Sequence, residues 1–395
     1  MPRFVQFGAG NIGRSFIGRL FAEAGYETVF VDVDVTLVGL LNARGSYPVV
    51  VKQTGLADEV RTVTGVRAVN GRDLPAVIAE VFAADYAATS VGQRALESVL
   101  PVLAQGLVAR QQAGRPALTL IIAENLRGGA EFFRQTLKKA LPADFPLERA
   151  VGLVETSIGK MVPLMPREAL EDDPLQLFAE PYDTLIVDRK GFAGPLPKLA
   201  GLKPVDNVPA YVDRKLFMHN MSHAATAYLG YEADPSLVWV WQALELPRVV
   251  AGVARALDQS ASALLAAYPG EFSSADLSEH ARDLLTRYRN RALGDTLHRV
   301  GRDLARKLSR DDRLIGACLL ADRHGLPYDA IARAAGAALS FAAPDENGRH
   351  LPGDEALRSA LLASGAKSVL AGASGLDPGR LREAAVLAAC LKAQA

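Results

Sequence analysis

One stretch near the N-terminus restricts the fold more than any other. A short, mostly apolar run at 4–7 (FVQF) meets Gly8, Ala9, Gly10, Asn11, Ile12 and Gly13, and Phe16, Ile17, Leu20, Phe21 and Ala24 then recur at helical spacing. Strand, glycine turn and helix in that order are the context in which G-x-G-x-x-G carries weight. Gly25 sits where a helix C-cap needs it, and 27–33 (ETVFVDV) reads as a second buried strand with Asp32 near its end. Asp32 follows Gly13 by nineteen residues, about where a dinucleotide-binding unit places the acid for its ribose hydroxyls. In that reading Gly8 permits the tight turn, Gly10 lets the backbone approach a pyrophosphate, and Gly13 lets the helix pack closely on the sheet. The N–H groups and dipole of the helix start, around Asn11 and Ile12, bind the anion. A carboxylate at Asp32 accepts hydrogen bonds from two ribose hydroxyls and repels a 2′-phosphate, so the expected cofactor is NAD rather than NADP. Arg14 argues the other way, but it falls inside the helix. A glycine turn without ligand is the competing reading.

Beyond Asp32 the alternation of apolar runs and helical stretches continues. The run 86–90 ends in Val91, Gly92 and Gln93; the run 118–123 ends in Glu124 and Asn125. Such runs predict a parallel sheet buried on both faces, with ligands at the carboxyl ends of its strands, where Thr89, Ser90, Val91, Glu124 and Asn125 fall. Asn125 has a second reading, as a helix N-cap before Leu126. Two more strands are expected at 151–156 and 185–188, with Met161, Val162, Pro163 and Leu164 between them. The prolines Pro195, Pro197 and Pro204 then break the pattern, so the expected domains are 1–195 and 196–395. From Asp213 onward the period is helical throughout, with stops near Pro269, Gly325 and Pro344. The fold class is therefore α/β: an N-terminal Rossmann-type dinucleotide-binding domain followed by a mainly α-helical C-terminal domain.

Bulk properties narrow the function classes. Forty-four basic residues balance forty-four acidic ones, so no net field favours nucleic acid or an anionic membrane. Cys318 and Cys390 are the only cysteines, too few for a disulfide framework or a CxxC metal knuckle. The N-terminus shows no secretory pattern and no long apolar span occurs, so a soluble cytoplasmic protein is expected.

The helical half opens with Asp213, Arg214, Lys215, Leu216, Phe217, Met218, His219, Asn220, Met221, Ser222 and His223. At ~100° per residue, Lys215, His219, Asn220 and His223 fall within roughly 140° of one another, opposite Phe217, Met218, Met221, Ala224 and Tyr228. That face holds two imidazoles and an amide around one amine, groups that donate, accept or move a proton near neutral pH. The plainer reading is a half-exposed helix whose histidines point at water. A second stretch carries Arg287, Arg289, Arg291, Arg299, Arg302, Arg306 and Lys307. Arg302 and Arg306 are four apart, on one expected helical face, and can grip a phosphate or carboxylate; the alternative is a solvated helix paired with Asp303, Asp311 and Asp312.

Five stretches carry a resemblance: FGAGNIGRSFIG from Phe7, TSVGQRAL from Thr89, AENLRGG from Ala123, RKLFMHNMSHAATAYLG from Arg214 and RVGRDLARKLSRDDRLIG from Arg299. Together they resemble the polyol-specific long-chain dehydrogenases, and within them the shorter bacterial branch that uses sugar-alcohol phosphates, whose chains also start directly at the first strand. The resemblance implies that Lys215 is the general base and that Asn220 and Asn125 donate hydrogen bonds to the developing oxyanion. It implies that His223 orients the substrate, that Arg287 and Asn290 belong to the substrate-binding arginine-aromatic-x-asparagine motif, and that no metal takes part. The implied reaction interconverts mannitol 1-phosphate and fructose 6-phosphate with NAD, in a monomer or homodimer. Alternatives are the same chemistry on a free polyol or hexuronate (mannitol, tagaturonate or altronate), and a non-catalytic sensor of NAD(H). Arg291 in place of the motif's proline, Lys160 after Gly159, and His219 depart from the family pattern.

Overall fold

The computed structural model describes residues 1–163, 165 and 167–392; Leu164, grouped above with its neighbours between two strands, lies outside them. The chain forms two compact units, Met1–Val212 and Asp213–Ala395. The first contains β1 (Arg3–Phe7), β2 (Glu27–Asp32), β3 (Ser46–Val51), β4 (Glu59–Thr64), β5 (Val66–Asn70), β6 (Tyr86–Thr89), β7 (Leu118–Ile122), β8 (Val151–Ile158), β9 (Leu177–Ala179), β10 (Leu185–Asp188) and β11 (Leu202–Val205). Eight strands form one sheet in the order β11-β10-β8-β7-β6-β1-β2-β5. Pro204 lies within β11, at the sheet's edge, where a missing N–H is tolerated.

Alternation of side chains across β1 explains how the sheet is covered. Val5 and Phe7, with Val29 and Val31 of β2, pack under the helices Leu74–Ala83, Gln93–Gln112 and Gly129–Ala140. Phe4 points the other way, into a cluster with Phe16, Ile17, Leu20 and Phe21, and its ring stacks on Phe21 at 3.7 Å between centroids. Each such ring or aliphatic chain contributes about 1.5–3 kcal/mol on burial, which is why the sheet reads as continuous apolar runs.

Two features depart from the expected parallel sheet. The strand β10 runs antiparallel to β8. A parallel return needs a crossover packed on the sheet, and the helix Arg167–Asp172 between them buries none of its residues. A separate three-stranded sheet, β4-β3-β9, is also present. In β4 only Val63 is buried, so its apolar signal is too weak to read from sequence. Lys160 serves the fold: buried, it donates to Glu180 O at 3.0 Å, Tyr182 O at 2.7 Å and Asp183 Oδ1 at 2.9 Å. Asp183 also pairs with Arg19 and Arg61.

Among its described residues the second unit is helical apart from an isolated bridge between Trp239 and Thr296. The helix Met221–Ala233 packs against Pro247–Ala267, Asp329–Leu339 and Leu297–Gly301. It also lies against the short helix Val240–Ala243, where small residues are needed: a Cβ on Gly230 would lie 2.5 Å from Ala243 Cβ. No helix among the described residues is long and apolar enough to cross a membrane.

Candidate active site

The glycine turn leaves β1 between β2 and β6, where the strand order reverses, the place at which open parallel sheets take ligands. Gly8 has φ of +92°, and a Cβ there would meet Ser90 O at 2.7 Å; a Cβ on Gly13 would lie 2.0 Å from Gly8 O. Both glycines are required by the protein's own backbone. Gly10 differs, because a Cβ there meets nothing within 4 Å. It faces a cavity of about 440 Å³ lined by Gly8, Asp32, Gly71, Ser90 and Val91 over an apolar floor that includes Val99 and Val102. Asp32 Oδ2 accepts the Ala9 N–H at 2.7 Å and Oδ1 that of Asp34 at 3.0 Å, so the acid is held rigidly at the cavity wall. An open glycine cradle with one fixed carboxylate fits NAD.

The other first-unit candidates divide. Asn11 is exposed, whereas the Ile12 side chain packs against the core beside Phe16, leaving only its main chain for a ligand. Thr89 is fully buried, and Ser90 rather than Thr89 lines the cavity. Val91 and Gly92 donate their N–H groups to Glu124, each at 2.9 Å. Burial raises the Glu124 pKa against the pull of those two donors. Arg14 is spent on the carbonyls of Ala9 at 2.6 Å and Leu175 at 2.8 Å. Asn125 is exposed just beyond β7, and it is not a helix N-cap: the next helix starts at Gly129 with Gly128 as cap, and Glu155 Oε1 accepts both their N–H groups.

In the second unit the Lys215 segment departs from the α-helical geometry that the spacing predicts. Lys215–Asn220 is a π-helical turn inside an otherwise α-helical 208–233, and the Met221 N–H reaches back to Leu216 O. A turn closed from i to i+5 brings residues five apart to nearly one face. Lys215 and Asn220, on the two edges of the arc expected for an α-helix, therefore stand at the two ends of one π-helical turn. The reading of histidines pointing at water does not hold, since His219 is only 5% exposed. Burial pushes the Lys215 amine down to about 8, with Arg313 adding to the effect and Asp312 opposing it. Burial likewise lowers His219 well below the usual imidazole range, reinforced by Arg287 and His223. A lysine in this state gives up and takes back a proton near neutral pH.

The helix Ser274–Tyr288, which carries Arg287, packs against the Lys215–Asn220 turn. Tyr288 lies flat on the His223 ring, 4.6 Å between centroids at 6°, and its hydroxyl donates to His219 O at 2.8 Å. That contact explains the aromatic residue of the motif. Arg287 is 10% exposed and lies 3.4 Å from Asp283. Asn290 caps the short turn Arg291–Leu293 through the Ala292 N–H at 3.3 Å. Asp295, which sequence reading passed over, is buried with Oδ2 3.3 Å from His223 Nε2. Its only sequence signal is an acid shortly after the arginine motif. Arg291, exposed, pairs with Glu245 at 2.7 Å and covers Trp241.

The expectation that Arg302 and Arg306 share one helical face is corrected. The helix Leu297–Gly301 ends at Arg302, Asp303 adopts a left-handed conformation with φ of 69°, and a new helix runs Leu304–Lys307. The cause is distant in sequence: Asp354 accepts the N–H groups of Asp303 at 2.8 Å and Leu304 at 2.7 Å. Buried Lys307 seals the break by donating to Val300 O at 2.6 Å and to Arg302 O. Arg302 and Arg306 are both exposed, and Arg306 pairs with Asp303 and Asp312.

An open glycine cradle with a fixed carboxylate in the first unit and a buried lysine of lowered pKa in the second are groups suited to a dehydrogenase that uses a nicotinamide dinucleotide and acts on CH–OH. The Mannitol dehydrogenase Rossmann domain model matches residues 2–201 and the Mannitol dehydrogenase C-terminal domain model residues 207–373, and the chain belongs to the mannitol dehydrogenase family. It is a polyol dehydrogenase whose Rossmann domain fits NAD. Among solved structures it is similar to mannitol 2-dehydrogenase of Pseudomonas fluorescens, in a ternary complex with NAD and D-mannitol, at 19% identity and a TM-score of 0.75 over 99% of this chain and 91% of that one. It is also similar to a substrate-free D-sorbitol dehydrogenase, at 18% identity and a TM-score of 0.80 over 99% and 92%.

Proposed function

We propose that this protein interconverts mannitol 1-phosphate and fructose 6-phosphate with NAD, using Lys215 as the general base. The observation that carries the chemistry is the π-helical turn that holds both Asn220 and a buried lysine whose pKa is pushed down to about 8. When bound, NAD supplies the hydride acceptor. Neutral Lys215 takes the proton of the substrate hydroxyl as the carbon loses hydride, and as an ammonium it returns that proton in the reverse direction. Asn220 and Asn125 donate hydrogen bonds to the oxygen as charge develops on it, worth most where water is excluded. His223 holds a neighbouring hydroxyl. Asp32 takes the cofactor's ribose hydroxyls, and the turn from Gly8 to Gly13 takes its pyrophosphate.

Support for a phosphorylated substrate comes from Arg287, a guanidinium nine-tenths buried beside His219, whose positive charge suits an anion. A free polyol is the second reading, favoured by the carboxylates that already engage Arg306 and by the broken helix at Asp303. The similar mannitol 2-dehydrogenase, solved with D-mannitol, points the same way.

Initial rates of NADH oxidation with fructose 6-phosphate, fructose and tagaturonate in parallel test the choice. The expected result is a preference in kcat/KM for the phosphorylated ketose of roughly a hundredfold, the loss expected when a charge-assisted contact is missing. Equal or better turnover of fructose would transfer the lysine chemistry to free polyols.

A further inference from the structure

The strongest feature that this mechanism leaves unused is the carboxylate behind His223. Asp295 is 8% exposed, and its Oδ2 lies 3.3 Å from His223 Nε2 while Oδ1 is held by Arg299. A buried carboxylate against an imidazole needs a reason, because taking it out of water is costly unless it is paired. Its pKa is nevertheless low: the His223 and Arg299 contacts outweigh the upward push of burial.

The backbone around Asp295 is fixed as well. Asp295 O accepts the Val240 N–H at 2.9 Å, Leu297 N–H donates to Val238 O at 2.8 Å, and Gly294 turns the chain with φ of 61°. The opposite constraint on His223 comes from Tyr288, stacked on its ring and anchored through its hydroxyl to His219 O and Ser222 Oγ. His223 Nε2 is thereby buried with Asp295 Oδ2 3.3 Å away, close but outside hydrogen-bond geometry, and the exposed part of the side chain, 17%, is the part without Nε2.

We propose that Asp295 is a positioning residue: it holds His223 with Nε2 turned inward, so that Nδ1 is the nitrogen offered to the substrate. A carboxylate beside one ring nitrogen settles which nitrogen carries the proton, as in other carboxylate-histidine pairs. Nε2–H then faces Asp295, and Nδ1 keeps its lone pair to accept a hydrogen bond from a substrate hydroxyl. The inference rests on the proposed role of His223 in binding the polyol.

A double-mutant cycle separates the two claims. Asp295→Asn, which keeps the shape and removes the charge, is expected to lower kcat/KM by roughly 10²-fold, the cost of misplacing a reacting group by about 1 Å. In the His223→Ala background the same substitution is expected to change nothing further. Nitrogen-15 shifts of labelled histidine in the full chain bound to NADH should show the His223 proton on Nε2 in the wild type and a redistributed tautomer in Asp295→Asn. Additive losses, or an unchanged His223 signature, overturn the proposal. A His223→Ala variant with normal turnover instead removes the underlying reading of His223. Should Asp295→Asn fold poorly, Asp295→Ala provides the same nitrogen-15 comparison: a redistributed His223 tautomer is expected, and a proton still held on Nε2 overturns the proposal.

Discussion

Asp32 Oδ2 accepts the N–H of Ala9 at 2.7 Å, so the acid at the end of the second strand holds the glycine turn that follows the first. The same carboxylate faces the cavity. Asp32→Ala should therefore weaken NAD and remove discrimination against NADP together. Losing hydrogen bonds to a charged group, at about 1.5–3 kcal/mol, corresponds to roughly ten- to a hundredfold in KM for NAD. Unchanged coenzyme preference in steady-state kinetics would assign Asp32 to the turn alone.

Gly10 and Gly13 should fail in different ways. Nothing of the protein lies within 4 Å of a Cβ on Gly10, so Gly10→Val is expected to fold with stability within about 0.5 kcal/mol of wild type and to lose NAD binding. Gly13→Ala drives a methyl group to 2.0 Å from Gly8 O and should destabilise the fold by about 1–3 kcal/mol. Thermal denaturation with and without NAD distinguishes them; a Gly10→Val that binds NAD normally would contradict the assignment of the cradle.

Lys215→Ala should lower turnover by about 10²–10⁴. With its pKa near 8, the base form needed for alcohol oxidation grows as pH rises, so kcat/KM for oxidation should climb through about pH 8 and level off above it. Ketose reduction needs the ammonium and should fall over the same range. Stability follows the same sign: an unfolded lysine titrates near ~10.4, so from about pH 8 to 10 the unfolded chain binds more protons and this group's contribution to stability rises with pH. Lys215→Met should flatten both profiles; an oxidation profile that it leaves unmoved would shift the base elsewhere.

Asp354 should be a stability residue rather than a catalytic one. Its carboxylate accepts the N–H groups of Asp303 and Leu304 at the left-handed break. Asp354→Ala leaves both donors unpaired and is expected to cost about 2–4 kcal/mol in urea denaturation. A loss below about 0.5 kcal/mol would mean that the break holds without it.

The parts legible in the sequence were those governed by short-range rules. The glycine turn, Asp32 and the apolar alternation follow from backbone freedom and period, and the structure has the expected sheet buried on both faces. The short exposed strand β4 escaped because one buried valine makes no pattern. Arg302 and Arg306 were misplaced because helical spacing was extended across a break whose cause, Asp354, lies 51 residues away from Asp303.

The sequence by itself determined which chemical groups exist and how far apart they stand along the chain: Lys215, Asn220 and His223, and the turn from Gly8 to Gly13. Tertiary structure alone decided that Lys215 and Asn220 share a π-helical turn, that burial lowers the Lys215 pKa, and that Asp295 stands behind His223. Local spacing follows from backbone geometry, but desolvation and ion pairing depend on neighbours that come from other parts of the chain.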